Sequence, residues 1–112
     1  MNGPARVPTN FETRVYGALR EIPRGRVVTY SILAAHLDCG STQAVGQALK
    51  RNPLAPEVPC HRVIKTDLTL GGYDGKLKGV RVGRKRRLLE EEGVEFNETG
   101  QLLDAAKVWE WG

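Results

Sequence analysis

The sequence predicts a mainly α-helical domain with a little β structure, organised around the outline of a helix-turn-helix. Three observations carry this reading. A capping box opens a stretch of helical apolar spacing, two short capped segments flank a Gly-containing turn, and only brief β-branched runs interrupt the helices. At 112 residues the chain suits a single domain over 1–112 with one modest core, a loose segment at 1–9 and a tail at 97–112.

The first helix opens at Thr9-x-x-Glu12, where each side chain can cap the other's backbone N–H. Its apolar positions Phe11, Val15, Ala18, Leu19 and Ile22 follow the helical period, and Pro23 and Gly25 end it. Val27-Val28 is a short strand or extended link. Thr29 caps a second helix over about Tyr30–Leu37, with Ile32, Leu33 and Ala35 as its apolar side. "DCGS" turns the chain, and Ser41 caps a third helix over about Thr42–Lys50 that buries Val45, Ala48 and Leu49. Gln43, Gln47 and Lys50 lie outward at i, i+4 and i+7, with Arg51 just beyond. Amides followed by cations suit base edges and phosphates.

"RNPLAPEVP" holds three prolines and predicts an ordered loop. Val63-Ile64 reads as a strand, "LGGYDGKLKG" as a Gly-rich loop, and about Arg84–Glu92 as a last helix stopped by Gly93. Val94–Phe96 is expected to add a strand, and Trp109 and Trp111 to fold back onto the domain. "RKRR" at that helix's start and "EEE" at its end oppose the helix dipole, which a phosphate backbone near Arg84–Arg87 would explain.

The net charge of +4 is uneven: residues 1–89 hold 16 Lys and Arg against 6 Asp and Glu, and residues 90–112 hold 1 against 7. A basic body with an acidic tail suits a polyanionic partner, nucleic acid first, or simply a solvated surface. No apolar run approaches a membrane span, and "MNGPARVPTN" lacks a signal peptide's apolar segment, so a cytoplasmic location is expected. Cys39 and Cys60 are too few for a disulfide framework.

"VPCHRVI" sets Cys60 beside His61 and Arg62. A nucleophilic thiol needs help to ionise near neutral pH, and these neighbours can give it. In an extended strand Cys60 and His61 would point to opposite faces, but Pro59 favours a turn, in which a water can join them. A carboxylate on the far ring nitrogen would complete a relay. Three plainer readings stand beside this one: a buried core cysteine, a zinc site from His36, Cys39, Cys60 and His61, or a redox thiol.

"PCHRVI", preceded by "VGQALKRNP" and followed by Tyr73 and "LLEEEG", resembles the O6-alkylguanine-DNA alkyltransferase family over about Phe11–Phe96. The likeness covers that family's C-terminal DNA-binding domain only. It implies a winged helix-turn-helix that enters the minor groove of duplex DNA, rotates an O6-alkylguanine out of the stack and moves its alkyl group irreversibly to Cys60. The implied catalytic set is Cys60, His61 as water-bridged base, Glu92 as its orienting carboxylate, and Asn52 as brace of the turn. Tyr30 would crowd the target phosphate. Tyr30, Tyr73, Asp74 and the carbonyls of Cys60 and Val63 would form the base pocket. Thr42, Gln43, Ala44, Gly46, Gln47, Lys50 and Arg51 would contact DNA. A thioether product needs no metal and no cofactor, and Arg62 falls to a structural role. The resemblance also implies a monomer that associates with the nucleoid or nucleus through DNA.

Gln43 stands where the family carries an intercalating arginine. That change, the longer loop after Tyr73 and the Trp-ending tail resemble alkyltransferase-like proteins, which bind such lesions without repairing them and recruit an excision-repair protein. Those proteins usually have tryptophan at the cysteine position, whereas this chain keeps Cys60 and Tyr73. A lesion sensor and an ordinary winged-helix regulator with a buried Cys60 are the alternatives.

Overall fold

The structure, a computed structural model, describes residues 9–51, 57–70 and 80–111, the side chains of 80–82 excepted. In chain order it contains α1 (Asn10–Glu21), β1 (Val28–Thr29), α2 (Tyr30–His36) and α3 (Thr42–Lys50). A 3₁₀ turn (Cys60–Arg62), β2 (Val63–Ile64), α4 (Val80–Glu91) and a second 3₁₀ turn (Ala105–Lys107) follow.

The predicted caps form. Thr9 Oγ1 accepts from Glu12 N at 3.1 Å while Glu12 Oε1 accepts from Thr9 N at 3.0 Å. Thr29 and Ser41 accept from Ile32 N and Ala44 N, each at 3.1 Å. Caps of this kind contribute about 1 kcal/mol each, enough to set where short helices begin. Val15, Leu19, Val45 and Ala48 are buried as their spacing required.

β1 and β2 pair in parallel, Val28 opposite Val63 and Thr29 opposite Ile64. Strand residues alternate faces, so this small sheet divides the interior in two. Val28 and Val63 join the core of α1, α2 and α3, which also holds Cys60. Val27 and Ile64 join a second core with Leu70, Leu89, Val94, Phe96 and Leu102.

Four expectations are corrected. On α2 the buried residues are Leu33, Ala34 and the capping Leu37, while Ala35 faces solvent. The reason is that α2 packs on α3 and on the β1–β2 pair, which favours the Leu33–Ala34–Leu37 stripe. Val94–Phe96 forms no strand; Phe96 makes one isolated antiparallel bridge to Leu102. α4 begins at Val80 rather than Arg84, so "RKRR" lies beyond the first turn, while Glu90 and Glu91 still end the helix against the dipole. Lys85 is moreover buried, not directed to a phosphate. Its length allows this, because a buried ammonium can reach a backbone carbonyl.

The tail does fold back. Val27 N donates to Lys107 O at 3.0 Å and Trp109 N to Val27 O at 2.7 Å, adding a parallel rung beside β1. Trp111 stacks on His36 with ring centroids 4.0 Å apart, and its Nε1 donates to Glu21 Oε1 at 2.7 Å.

Candidate active site and nucleic-acid face

Pro59 precedes a single 3₁₀ turn closed by Arg62 N donating to Pro59 O at 3.0 Å. The turn breaks strand alternation and lets Cys60 and His61 both face the interior, 5 % and 3 % exposed. Leu89 and Glu92 lie at i+4 and i+7 from Lys85, on one side of α4, so the end of that helix sets a carboxylate against the turn.

Glu92 is the hub. Its Oε2 accepts from His61 Nε2 at 2.9 Å and from Arg62 Nη2 at 2.9 Å. Its Oε1 accepts from Arg62 Nε at 2.9 Å and from Gly25 N at 3.1 Å. Burial pushes this carboxyl up, but the bonds from Arg62, His61 and Gly25 outweigh it and hold the group at about 2. Arg62 Nη1 also donates to Ile22 O at 2.9 Å, tying the turn to the end of α1. Gly25 has a left-handed backbone, φ +85°, and a Cβ there would lie 3.1 Å from Glu92 O. Glycine is the residue that lets the loop after α1 approach this closely.

A carboxylate acceptor assigns the proton of His61 to Nε2. Nδ1 is then the acceptor of the ring, and it is buried without a hydrogen-bond partner among the described residues. Burial lowers the basicity of His61, Glu92 raises it, and the charges of Arg62 and Lys85 lower it. The net effect is downward, so the resting imidazole is neutral at neutral pH and free to take a proton.

Tyr30 and Lys85 both interact electrostatically with Cys60. Tyr30, at the start of α2, is pushed up first by burial and then by Cys60. Lys85 is pushed down by burial to about 8, against an opposing pull from Cys60. Lys85 Nζ donates to Val63 O at 2.8 Å, and Val63 N donates to Cys60 O. Lys85 was missed in the sequence because lysine normally marks a surface. Its heptad spacing from Glu92 was the available signal.

A cavity of about 600 Å³ opens beside α2 and α3, within the roughly 300–1,000 Å³ range of ligand clefts. Tyr30, Thr42, Gln43 and Gly46 line it, together with Lys65, Thr66 and Asp67 from the turn after β2. Ser31 and Thr66 hydroxyls bond at 2.8 Å and join α2 to that turn. Residues 65–67 escaped the sequence reading because no local motif distinguishes them from an ordinary turn. Gln47 and Lys50 are exposed on α3, and Ala44 is half-buried. Arg51 pairs with the buried Glu12 across 3.6 Å, which ties α3 to the start of α1. Asn52, Tyr73 and Asp74 lie outside the described residues.

The zinc quartet does not assemble. His61 engages Glu92, His36 stacks on Trp111, and Cys39 Sγ donates to Ser41 O at 3.4 Å. Among the described residues no three His, Cys, Asp or Glu gather at metal-holding distance. Among them too, no helix is long and apolar enough to cross a membrane.

A family model described as 6-O-methylguanine DNA methyltransferase, DNA binding domain, matches residues 10–94. The methylated-DNA–protein-cysteine methyltransferase of Methanothermobacter thermautotrophicus is 46% identical over 88 residues, 79% of this chain and 47% of that protein. Its namesake from Salmonella typhimurium is 49% identical over 86 residues, 76% of this chain and 47% of that protein. The chain spans about half the length of the curated relatives it matches. Among solved structures, the O6-methylguanine-DNA methyltransferase of Pyrococcus kodakaraensis aligns with a TM-score of 0.67 at 46% identity, covering 77% of this chain and 47% of that one. S. pombe Atl1, in complex with damaged DNA containing O6-carboxymethylguanine, aligns with a TM-score of 0.74 at 33% identity, covering 95% of this chain and 100% of that one.

Proposed function

The chain belongs to the 6-O-methylguanine DNA methyltransferase family, and from that premise we propose that it binds O6-alkylguanine in duplex DNA and takes the alkyl group onto Cys60. The observation that carries this reading is the array around the turn: a cysteine, a neutral histidine with an open Nδ1, and a carboxylate fixed on Nε2. That is the donor set a thiol needs to ionise in a buried site.

In the proposed reaction His61 Nδ1 takes the thiol proton through a water, and the Cys60 sulfur attacks the alkyl carbon. The S–C bond forms as the C–O6 bond breaks, leaving a thioether and a guanine whose O6 is a carbonyl. The purine leaves as an anion and regains one proton on a ring nitrogen, so the proton lost from sulfur is balanced. Nothing restores the thiol, and each molecule reacts once. No metal or cofactor takes part in these steps.

DNA would be met through the α2–α3 pair acting as a winged helix-turn-helix, with α3 in the minor groove. Thr42, Gln43, Ala44, Gly46, Gln47, Lys50 and Arg51 would make its contacts, and Tyr30 would crowd the phosphate of the rotated nucleotide. Unstacking a base costs a few kcal/mol, least for a damaged pair, and basic groups on phosphates offset it. Val63 O, with Tyr73 and Asp74, would complete the base pocket, and Asn52 would brace the turn.

Incubation with an O6-methylguanine duplex, followed by intact mass, should add one methyl group per chain and none to Cys60→Ala. Lesion binding by the unaltered chain with no gain in mass would reject transfer and leave a protein that only recognises the lesion.

A further inference from the structure

We propose that Arg62 is a positioning residue of this site: by occupying both oxygens of Glu92 it weakens that carboxylate's hold on a second ring proton and so helps His61 rest with hydrogen on Nε2 and a lone pair on Nδ1. The importance of His61 neutrality to alkyl transfer rests on the function proposed above, but the control of His61 by Arg62 does not.

The geometry is that of a shared carboxylate. Glu92 has four lone-pair positions and four donors: Arg62 Nε and Gly25 N on Oε1, Arg62 Nη2 and His61 Nε2 on Oε2. Arg62 contributes two of them as a fork, and its third nitrogen is anchored on Ile22 O. The side chains of His61 and Glu92 are each 4% exposed and that of Arg62 15%, so solvent screens their interactions little. In such a site a carboxylate whose only partner was the imidazole would draw a proton onto the ring. The histidine would then rest as imidazolium, two donors and no acceptor, unable to relieve a thiol of its proton. Arg62 opposes that pull, adding to the larger effect of burial, while leaving the Nε2–H···Oε2 bond in place.

The other ionisable groups around His61 act consistently with this. Lys85 from α4 also opposes a second positive charge, and Cys60 shares the turn. Tyr30 approaches from α2 and is neutral. The loop after α1 supplies only backbone, Gly25 N and Ile22 O. Glu92 is therefore the group that would charge His61, and Arg62 is the cation bonded to it.

The test follows the His61 ring by 15N-edited NMR through a pH titration. Arg62→Gln should move its titration upward by about one pH unit, a tenfold change in the proton equilibrium. Arg62→Lys, which keeps the charge, should stay near the unaltered protein. The double variant Arg62→Gln/Glu92→Gln, which leaves no buried lone charge, should return the titration below that of Arg62→Gln alone. Equal titration in Arg62→Gln and the unaltered protein, or equal shifts in the Gln and Lys variants, would overturn the proposal. If Arg62→Gln does not fold, the double variant decides: a titration above that of the unaltered protein overturns it too. In the transfer assay Arg62→Gln should lose about tenfold below neutral pH and recover as pH rises, whereas a purely structural role would lower the rate equally at every pH. Absence of transfer in the unaltered protein would reject the reaction while the NMR result still judges Arg62.

Discussion

Lys85 Nζ and Val63 O lie 2.8 Å apart in the interior, so a cation from α4 is spent on the backbone of β2, beside the reactive turn. Lys85 is 1% exposed, and its charge and that of Cys60 act on each other. Lys85→Met preserves the side chain's bulk without the charge. We expect alkylation of Cys60 by iodoacetamide at neutral pH to slow about tenfold, because a nearby cation favours the thiolate. Stability should change by no more than about 2 kcal/mol, since relief of a buried charge offsets the lost hydrogen bond. An unchanged iodoacetamide rate would mean Lys85 acts only on the backbone.

The same side chain gives a pH dependence. Its folded value, about 8, lies below the ordinary 10.5, so the unfolded chain holds this proton more tightly. Stability therefore gains as pH rises from about 8 to 10.5, and is lowest in this respect below 8. Denaturant midpoints across that window should rise in the unaltered protein relative to Lys85→Met.

Glu92 behaves oppositely. Held at about 2 against an ordinary 4.5, it adds stability above pH 4.5 that is lost as pH falls toward 2. Glu92→Gln should flatten the melting temperature across that acid window. It should also slow alkyl transfer while leaving duplex affinity close to that of the unaltered chain. Equal loss of both would indicate a damaged fold.

Gln43 faces the 600 Å³ cavity on the same wall as Tyr30. Gln43→Arg should bind lesion-bearing duplex about tenfold more tightly, with a steeper salt dependence for the added cation. Fluorescence anisotropy at two salt concentrations measures both, and no change would place position 43 outside the stack.

Much of this was legible beforehand, for local reasons. Thr9 with Glu12, Thr29 and Ser41 announce helix starts through caps that need only neighbouring residues. Pro59 announces the turn that carries Cys60. What the sequence concealed depends on distant partners. The true start of α4 at Val80 follows a glycine- and lysine-rich run with no Ser, Thr, Asn or Asp in its last five residues to announce it. Burial of Lys85 contradicts the habit of its residue type and is decided by Val63 across the core. Arg62 reads as structural, but its partner stays hidden until Glu92, thirty positions on, is brought against it. Ala35 was misplaced because two apolar stripes of α2 look alike until the packing of α3 and the two strands chooses between them.

The chain's two tryptophans, Trp109 and Trp111, both sit on the segment that returns to β1 and α2. Their emission therefore reports on that strap. Unfolding curves that coincide by fluorescence and by helical circular dichroism would mean the strap melts with the helices. An earlier fluorescence transition would mark it as a clasp that opens first.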